Sequence, residues 1–337
     1  MARDCWTSSI DASSDRSSQG LVDLVCCGAI NWDINLYVRR MPKTGEEVQV
    51  LELQRVPGGT AANVAVAAAR ILGPQRVSLV AALGDDEIAE RQLELLRMES
   101  VNTSAITRVH REESGQAYIS IGPTGENEIH TYFGANLFLT PESLEASQTL
   151  QVVKQGKVTV IMDPPLDTCQ RLAELCKEFG NTVTWDPGVL AQSGLKKLSH
   201  ALSHVDYLVL NKLEYEELLG TSEAEEIASK LSAINPGIKA IVKQGDSGCT
   251  LAGPGGRIAY HVKALPLEKL GMRAVNTVGC GDAFIGAFAA AKALGHEDLE
   301  SLGWGCAAGG YKATRKETRG GPTKQQLETL LKKLQEP

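Results

Sequence analysis

The sequence predicts an α/β protein in three layers: a mainly parallel central sheet covered by helices on both faces, with a small β-sheet set beside it. Three observations predict it. Short β-rich runs alternate with helical patterns through most of the chain, as in strands joined by crossover helices. Two stretches break that alternation with extended, half-polar segments and no intervening helix. Finally, 337 residues at 43% hydrophobic and 22% charged suffice for one large domain with a sizeable core.

Taken in order, residues 1–20 are rich in Ser and Asp with almost no hydrophobic periodicity. They cannot offset the entropy cost of ordering and read as a disordered tail ahead of a single domain at 21–337. The first strand is placed at 24–29, where Cys26 and Cys27 face opposite sides of a strand as small buried hydrophobes. Extended segments at 34–38 and 48–56 follow. Then Pro57-Gly58-Gly59-Thr60-Ala61-Ala62-Asn63 leads into a helical run at 64–72, a strand at 77–83 and a helix at 87–99.

The second interruption holds 117–121 and 128–133, joined by Gly122-Pro123-Thr124-Gly125-Glu126-Asn127, which is hairpin chemistry. Two insertions of one kind, about 34–56 and 115–134, suggest a small sheet that acts as a lid over a site. An edge hairpin is the plainer alternative. Strands at 158–162, 182–185, 207–210 and 240–242, with helices at 169–179, 214–219, 224–233 and 285–294, complete the alternation. No repeat of fixed period is visible.

Charge and cysteine usage narrow the function. With 34 Lys and Arg against 41 Asp and Glu, the net charge is -7, so no overall field attracts nucleic acid. None of the 8 cysteines forms a Cys-x-x-Cys pair, which argues against a zinc ribbon or thioredoxin motif. His200 and His204 are spaced i, i+4 but lack the Glu of a zincin motif and read as a solvated helix face. No stretch reaches about 18 uncharged apolar residues, so a soluble, cytoplasmic protein with reduced thiols and no membrane partner is expected.

The chemistry concentrates in two glycine-rich segments. Gly58-Gly59 before a helix lets a ligand approach bare backbone, with unpaired N–H groups at the helix start, and Asn63 is placed to cap or to bind. The later segment, Asn276-Thr277-Val278-Gly279-Cys280-Gly281-Asp282, also opens a helix. Its small residues at 279–281 let successive amides point at one anion. A carboxylate beside an anion site makes chemical sense if Asp282 removes a proton from an attacking hydroxyl, and together these parts suggest phosphoryl transfer. Asp282 as a helix cap is the bland alternative. A P-loop is absent, and Phe284 stands where a dinucleotide fingerprint needs its third Gly, which weakens a dehydrogenase reading.

The two segments, in this order and separation, resemble the signatures of the ribokinase-like (PfkB) family of carbohydrate and nucleoside kinases. The resemblance implies a ribokinase-like α/β/α sandwich with a β lid, and a kinase that moves the terminal phosphate of ATP or ADP, with Mg2+, to a hydroxymethyl group of ribose, a ribose phosphate, a nucleoside or a related sugar. It further implies Asp282 as base, with Gly279, Cys280 and Gly281 forming the anion hole. Asn31, Asp33, Gly58, Gly59, Asn63 and Asp163 would contact the acceptor; Lys243, Gly245 and Cys306 the nucleotide. Asn211 and Glu214 match an N-x-x-E that organises magnesium through water.

The family's late signature usually opens with an Asp that helps hold a monovalent cation. Asn276 stands there instead, so a formal charge is lost and potassium dependence is in question. Cys280 and the arginines Arg39, Arg40, Arg55, Arg108 and Arg111 lean toward a nucleoside or phosphosugar. A homodimer through the lid is a further expectation. The alternative from another class is a silent sugar- or nucleotide-binding regulator on the same fold.

Overall fold

The computed structural model describes residues 22–123 and 126–335; the tail expected at 1–20, and Thr124 and Gly125 of the expected hairpin connection, lie outside the described residues. Among the described residues the larger sheet has nine strands. From one edge they run Arg257–Val262, Cys249–Gly253, Lys239–Lys243, Tyr207–Asn211, Thr182–Trp185, Val158–Ile161, Leu24–Cys27, Val77–Leu83 and Ile106–Arg108. Cys249–Gly253 pairs antiparallel with both its neighbours, and every other pairing is parallel.

A parallel strand between two helical layers is dry on both faces, and Leu24–Cys27 is buried throughout. Leu24 and Cys26 join the apolar cluster on one side of the sheet, Val25 and Cys27 the cluster on the other. These clusters are the two interlayer cores of an α/β/α sandwich.

After Leu24–Cys27 the chain continues in the large sheet on one side with Val77–Leu83, and later returns on the other side with Val158–Ile161. That reversal opens a crevice beyond the strands' carboxyl ends, where open α/β sheets bind ligands. Gly28, Asp163, Asp186, Asn211 and Lys243 all stand at or just past those ends.

Two helices deliver the glycine-rich segments to the crevice. Thr60–Leu72 starts four residues earlier than periodicity suggests, which puts Thr60 and Asn63 in its first turn. Cys280–Ala293 follows Gly279, whose φ is 82° and where a Cβ would meet Thr318 O at 2.5 Å. The helices touch at Gly286, where a Cβ would lie 2.8 Å from Val64 O, so only hydrogen permits this spacing.

The smaller sheet is ordered Val50–Gly58, Asn31–Val38, Gly115–Ile121, Asn127–Tyr132. Strands from the two insertions therefore pair, the central pair parallel and the outer pairs antiparallel. The first strand begins at Asn31 rather than 34, so Asp33 lies within it and not in a turn before it. Alternation puts Asp33 on one face and Leu53, Tyr118 and Tyr132 on the other.

The sequence reading omitted the antiparallel hairpin Cys249–Gly253 and Arg257–Val262, and the helix Asp298–Ala313. Gly and Ala fill that helix (GWGCAAGG) and it is buried on most sides, so it offers no polar stripe to read. Among the described residues no helix is long and apolar enough to cross a membrane.

Candidate active site

Asp282 sits in the first turn of its helix, while Gly279 occupies the cap position. The capping alternative for Asp282 is thus not what forms. Its partner comes from the other glycine-rich segment: Asn63 Nδ2 donates to Asp282 Oδ2 at 2.8 Å. Burial pushes the Asp282 carboxyl up to about 6, against the Asn63 hydrogen bond and the nearby Lys243 charge. A carboxylate there suits a general base near neutral pH.

Behind this pair stands Arg319, which sequence reasoning missed. Its Nε donates to Asn63 Oδ1 at 3.0 Å and its Nη2 to Gly58 O at 3.0 Å. Nη1 is buried without a hydrogen-bond partner. Asn63, Asp282, Arg319, Gly279 and Thr318 share one small cavity. The loop TRKETRGGP gives no local hint of this role, because the contact spans 256 residues.

The smaller sheet contributes Asp33. Burial raises its carboxyl to about 7, with Arg319 pulling it down and Asp282 pushing it up. A Cβ at Gly58 would sit 2.2 Å from the Asp33 carboxylate, so Gly58 makes the space Asp33 occupies. Gly59, at φ 89°, is the last residue before the helix. Asn31 Oδ1 accepts from Asn136 Nδ2 at 2.9 Å, and its carbonyl accepts from Gln92 Nε2 at 2.5 Å.

On the opposite side of the crevice Asp163 Oδ2 accepts from Thr60 Oγ1 at 2.7 Å. Its Oδ1 is buried without a partner, and burial lifts its carboxyl to about 7. Lys243 Nζ donates to Asp186 Oδ2 at 2.8 Å, and a Cβ at Gly281 would lie 3.6 Å from that Nζ. An ammonium and a helix N-terminus therefore face the same space, an arrangement for anions. Asp186 was also missed, since an Asp before Pro187-Gly188 reads as an ordinary turn.

Asn211 and Glu214 form a reciprocal capping box: Glu214 Oε2 accepts from Asn211 N at 2.7 Å, and Asn211 Oδ1 from Glu214 N at 2.9 Å. The cap engages one of the two Glu214 carboxylate oxygens. Burial raises Glu214, opposed by Lys243. Among the described residues no three His, Cys, Asp or Glu side chains converge as a metal cage. Oxygen donors flanking an anion site fit a magnesium ion held mostly by water and phosphate.

Gly245 lies exposed past strand Lys239–Lys243. Cys306 is buried, with its Sγ 3.5 Å from Cys249 Sγ, and Cys249 pairs with Lys243 across the sheet. Asn276 donates from Nδ2 to Lys316 O at 2.7 Å and accepts from Val278 N at Oδ1. Cys280 opens the helix, part-buried, with burial raising its thiol.

The arginines thought to favour a nucleoside or phosphosugar do not converge here. All are exposed; Arg40 pairs with Glu46, and Arg108 with Glu90. His200 pairs with Glu174 at 2.7 Å on the surface.

Residues 22–325 match the model of the pfkB family of carbohydrate kinases. The chain belongs to that family. It is 31% identical over 306 residues to a ribokinase of Bacillus subtilis, covering 90% of this chain and 97% of that one. It is 30% identical over 274 residues to a deoxyribokinase of Salmonella typhi, covering 80% and 85%.

Among solved pfkB-type structures, the Arabidopsis thaliana ribokinase complexed with ribose and ATP superposes with a TM-score of 0.82 at 26% identity, covering 93% of this chain and 99% of that one. The Thermotoga maritima ribokinase gives 0.79 at 28% identity, covering 93% and 100%. As a pfkB-family member the protein is a sugar or nucleoside kinase, a phosphotransferase with an alcohol acceptor.

Proposed function

We propose that this kinase transfers the terminal phosphate of ATP to the hydroxymethyl oxygen of a neutral pentose such as ribose, with Asp282 as general base. One observation carries the reading: the Asn63 to Asp282 hydrogen bond, which places a buried, near-neutral carboxyl at the first turn of a helix whose amides face Lys243.

The acceptor would lie between the two sheets. Asp33 and Asn31 offer it hydrogen-bond acceptors and Gly58 and Gly59 leave room beside them, while the smaller sheet closes above as a lid. Asp282 takes the hydroxymethyl proton as that oxygen attacks the terminal phosphorus. The bond from that phosphorus to its bridging oxygen breaks, and ADP leaves. The amides at 279–281 and the Lys243 ammonium stabilise the charge on the moving group. Glu214, with Asn211 positioning it, would hold magnesium through water, and bound magnesium supplies charge neutralisation on the phosphates. A neutral acceptor is favoured because Arg40 and Arg108 are engaged by Glu46 and Glu90 at the surface and the Arg319 charge is already met by Asp33 and Asp282.

The outer face of the lid exposes Leu53, Tyr118 and Tyr132, which supports a second copy as its partner. Light scattering on the purified protein tests that part. A panel of ribose, 2-deoxyribose, fructose, ribose 5-phosphate and adenosine against ATP and ADP, scored by phosphate transfer, tests the substrate. Ribose with ATP should give the highest kcat/KM; a preference for a phosphosugar or nucleoside would overturn the pentose assignment.

A further inference from the structure

Lys312 is a charged residue at 0% exposure, in the last turn of helix Asp298–Ala313. Lysines are almost never so buried unless paired, yet among the described residues its hydrogen-bond partners are both main-chain carbonyls. Its Nζ donates to Asn276 O at 2.9 Å and Arg315 O at 3.4 Å. An ammonium among carbonyls is costly to bury, so its position calls for a use.

That use follows from what the carbonyls belong to. Asn276 opens the turn that carries Gly279, Cys280 and Gly281, and Arg315 opens the loop packed against it. The segments are stitched elsewhere by neutral bonds: Val275 N and Asn276 N both donate to Ala313 O, at 2.7 and 3.0 Å, and Asn276 Nδ2 donates to Lys316 O. Lys312 adds a buried positive charge to this seam, held by carbonyl oxygens, the ligand type that potassium and ammonium also take.

We propose that the Lys312 ammonium is a tethered internal cation that fixes the amide-bearing turn at 277–281, so that phosphate transfer needs no added monovalent cation. The proposal rests on the reading that the amides at 279–281 receive the transferred phosphate. Lys312 touches no reacting atom and acts as a positioning residue.

The test compares wild type with Lys312→Ala, which leaves room for a small ion, in buffer whose only monovalent cation is tetramethylammonium. Ammonium or potassium chloride is then titrated in, with kcat, acceptor KM and melting temperature followed together. Wild type should respond in neither rate nor melting. The variant should lose about 10-fold or more in kcat with acceptor KM nearly unchanged, melt lower, and recover both properties saturably as ammonium or potassium is added. Should Lys312→Ala fail to fold, Lys312→Ser, which also leaves room for a small ion, carries the same comparison. Wild-type activation by potassium, or a folded variant with full kcat in tetramethylammonium, or losses that neither ion restores, would overturn the proposal. If wild type phosphorylates no acceptor, the kinase reading fails by itself, and the melting titration still decides the role of Lys312.

Discussion

Asn63 and Asp282 are 219 residues apart and joined by a 2.8 Å hydrogen bond, so the first turns of two helices that touch at Gly286 are registered on one carboxylate. The bond lowers Asp282 while burial raises it. Asn63→Ala removes the lowering influence, and the carboxyl rises further above about 6. A base must be ionised to act, so the acid limb of the kcat profile should move to higher pH by roughly one to two units, the worth of one hydrogen bond to a charged group. A pH–rate series on both proteins checks it; an unmoved limb would separate Asn63 from the base.

Gly58 and Asp33 give a second test. A Cβ at residue 58 would come within 2.2 Å of the Asp33 carboxylate, so Gly58→Ala must displace it. Both Gly58→Ala and Asp33→Ala should raise acceptor KM by about 10-fold or more, since each unpaired hydroxyl costs about 1–3 kcal/mol. Nucleotide affinity should barely move. Titration calorimetry that finds both affinities falling together would indicate damage to the fold instead.

For Glu214 the capping box matters to the design of the variant. Gln at this helix position can still complete the cap, so Glu214→Gln should fold and melt near wild type. It should, however, need several-fold more magnesium for half-maximal rate, because the carboxylate charge is gone. An unchanged magnesium titration would remove Glu214 from metal handling.

Asp163 predicts a pH dependence of stability. Its folded carboxyl lies at about 7 against 3.8 for the free group, so the folded state holds the proton more tightly. The resulting contribution is present in full below about pH 4 and is lost as pH rises through about 7. Asp163→Asn cannot ionise, so its stability relative to wild type should rise steadily from about pH 4 to about pH 7, by roughly 2–4 kcal/mol in all. Melting temperatures across that range check the sign; a difference that stays flat or falls as pH rises would contradict it.

Much of this was legible in the chain and some was not, for physical reasons. Parallel strands announce themselves as buried apolar runs, so Leu24–Cys27, Val77–Leu83 and Thr182–Trp185 were placed to within two residues. The two glycine-rich helix starts were visible because their spacing serves backbone geometry. Asn211 and Glu214 were visible as a pattern, but the pattern is also a capping box, and sequence does not separate the two uses. Arg319 and Lys312 were invisible. Arg319 acts on a segment 256 residues away from a loop whose local chemistry is ordinary and basic, and Lys312 reaches Asn276 O from the end of a Gly- and Ala-rich helix that shows no polar stripe. Cys306 was assigned by resemblance to the nucleotide side, and nothing in the residues around it in the chain foretold its contact with Cys249.

The most direct measurement is the single-turnover rate of Asp282→Asn with ribose and ATP, alongside calorimetric affinities for both. Asparagine keeps the size of the side chain and its bond to Asn63, through an Asn63 flip or its own amide oxygen, but cannot accept the proton. If Asp282 is the base, the rate falls by about 10²-fold or more with both affinities within a few-fold of wild type. Transfer at a near-normal rate by a variant that binds both ligands would contradict the assignment.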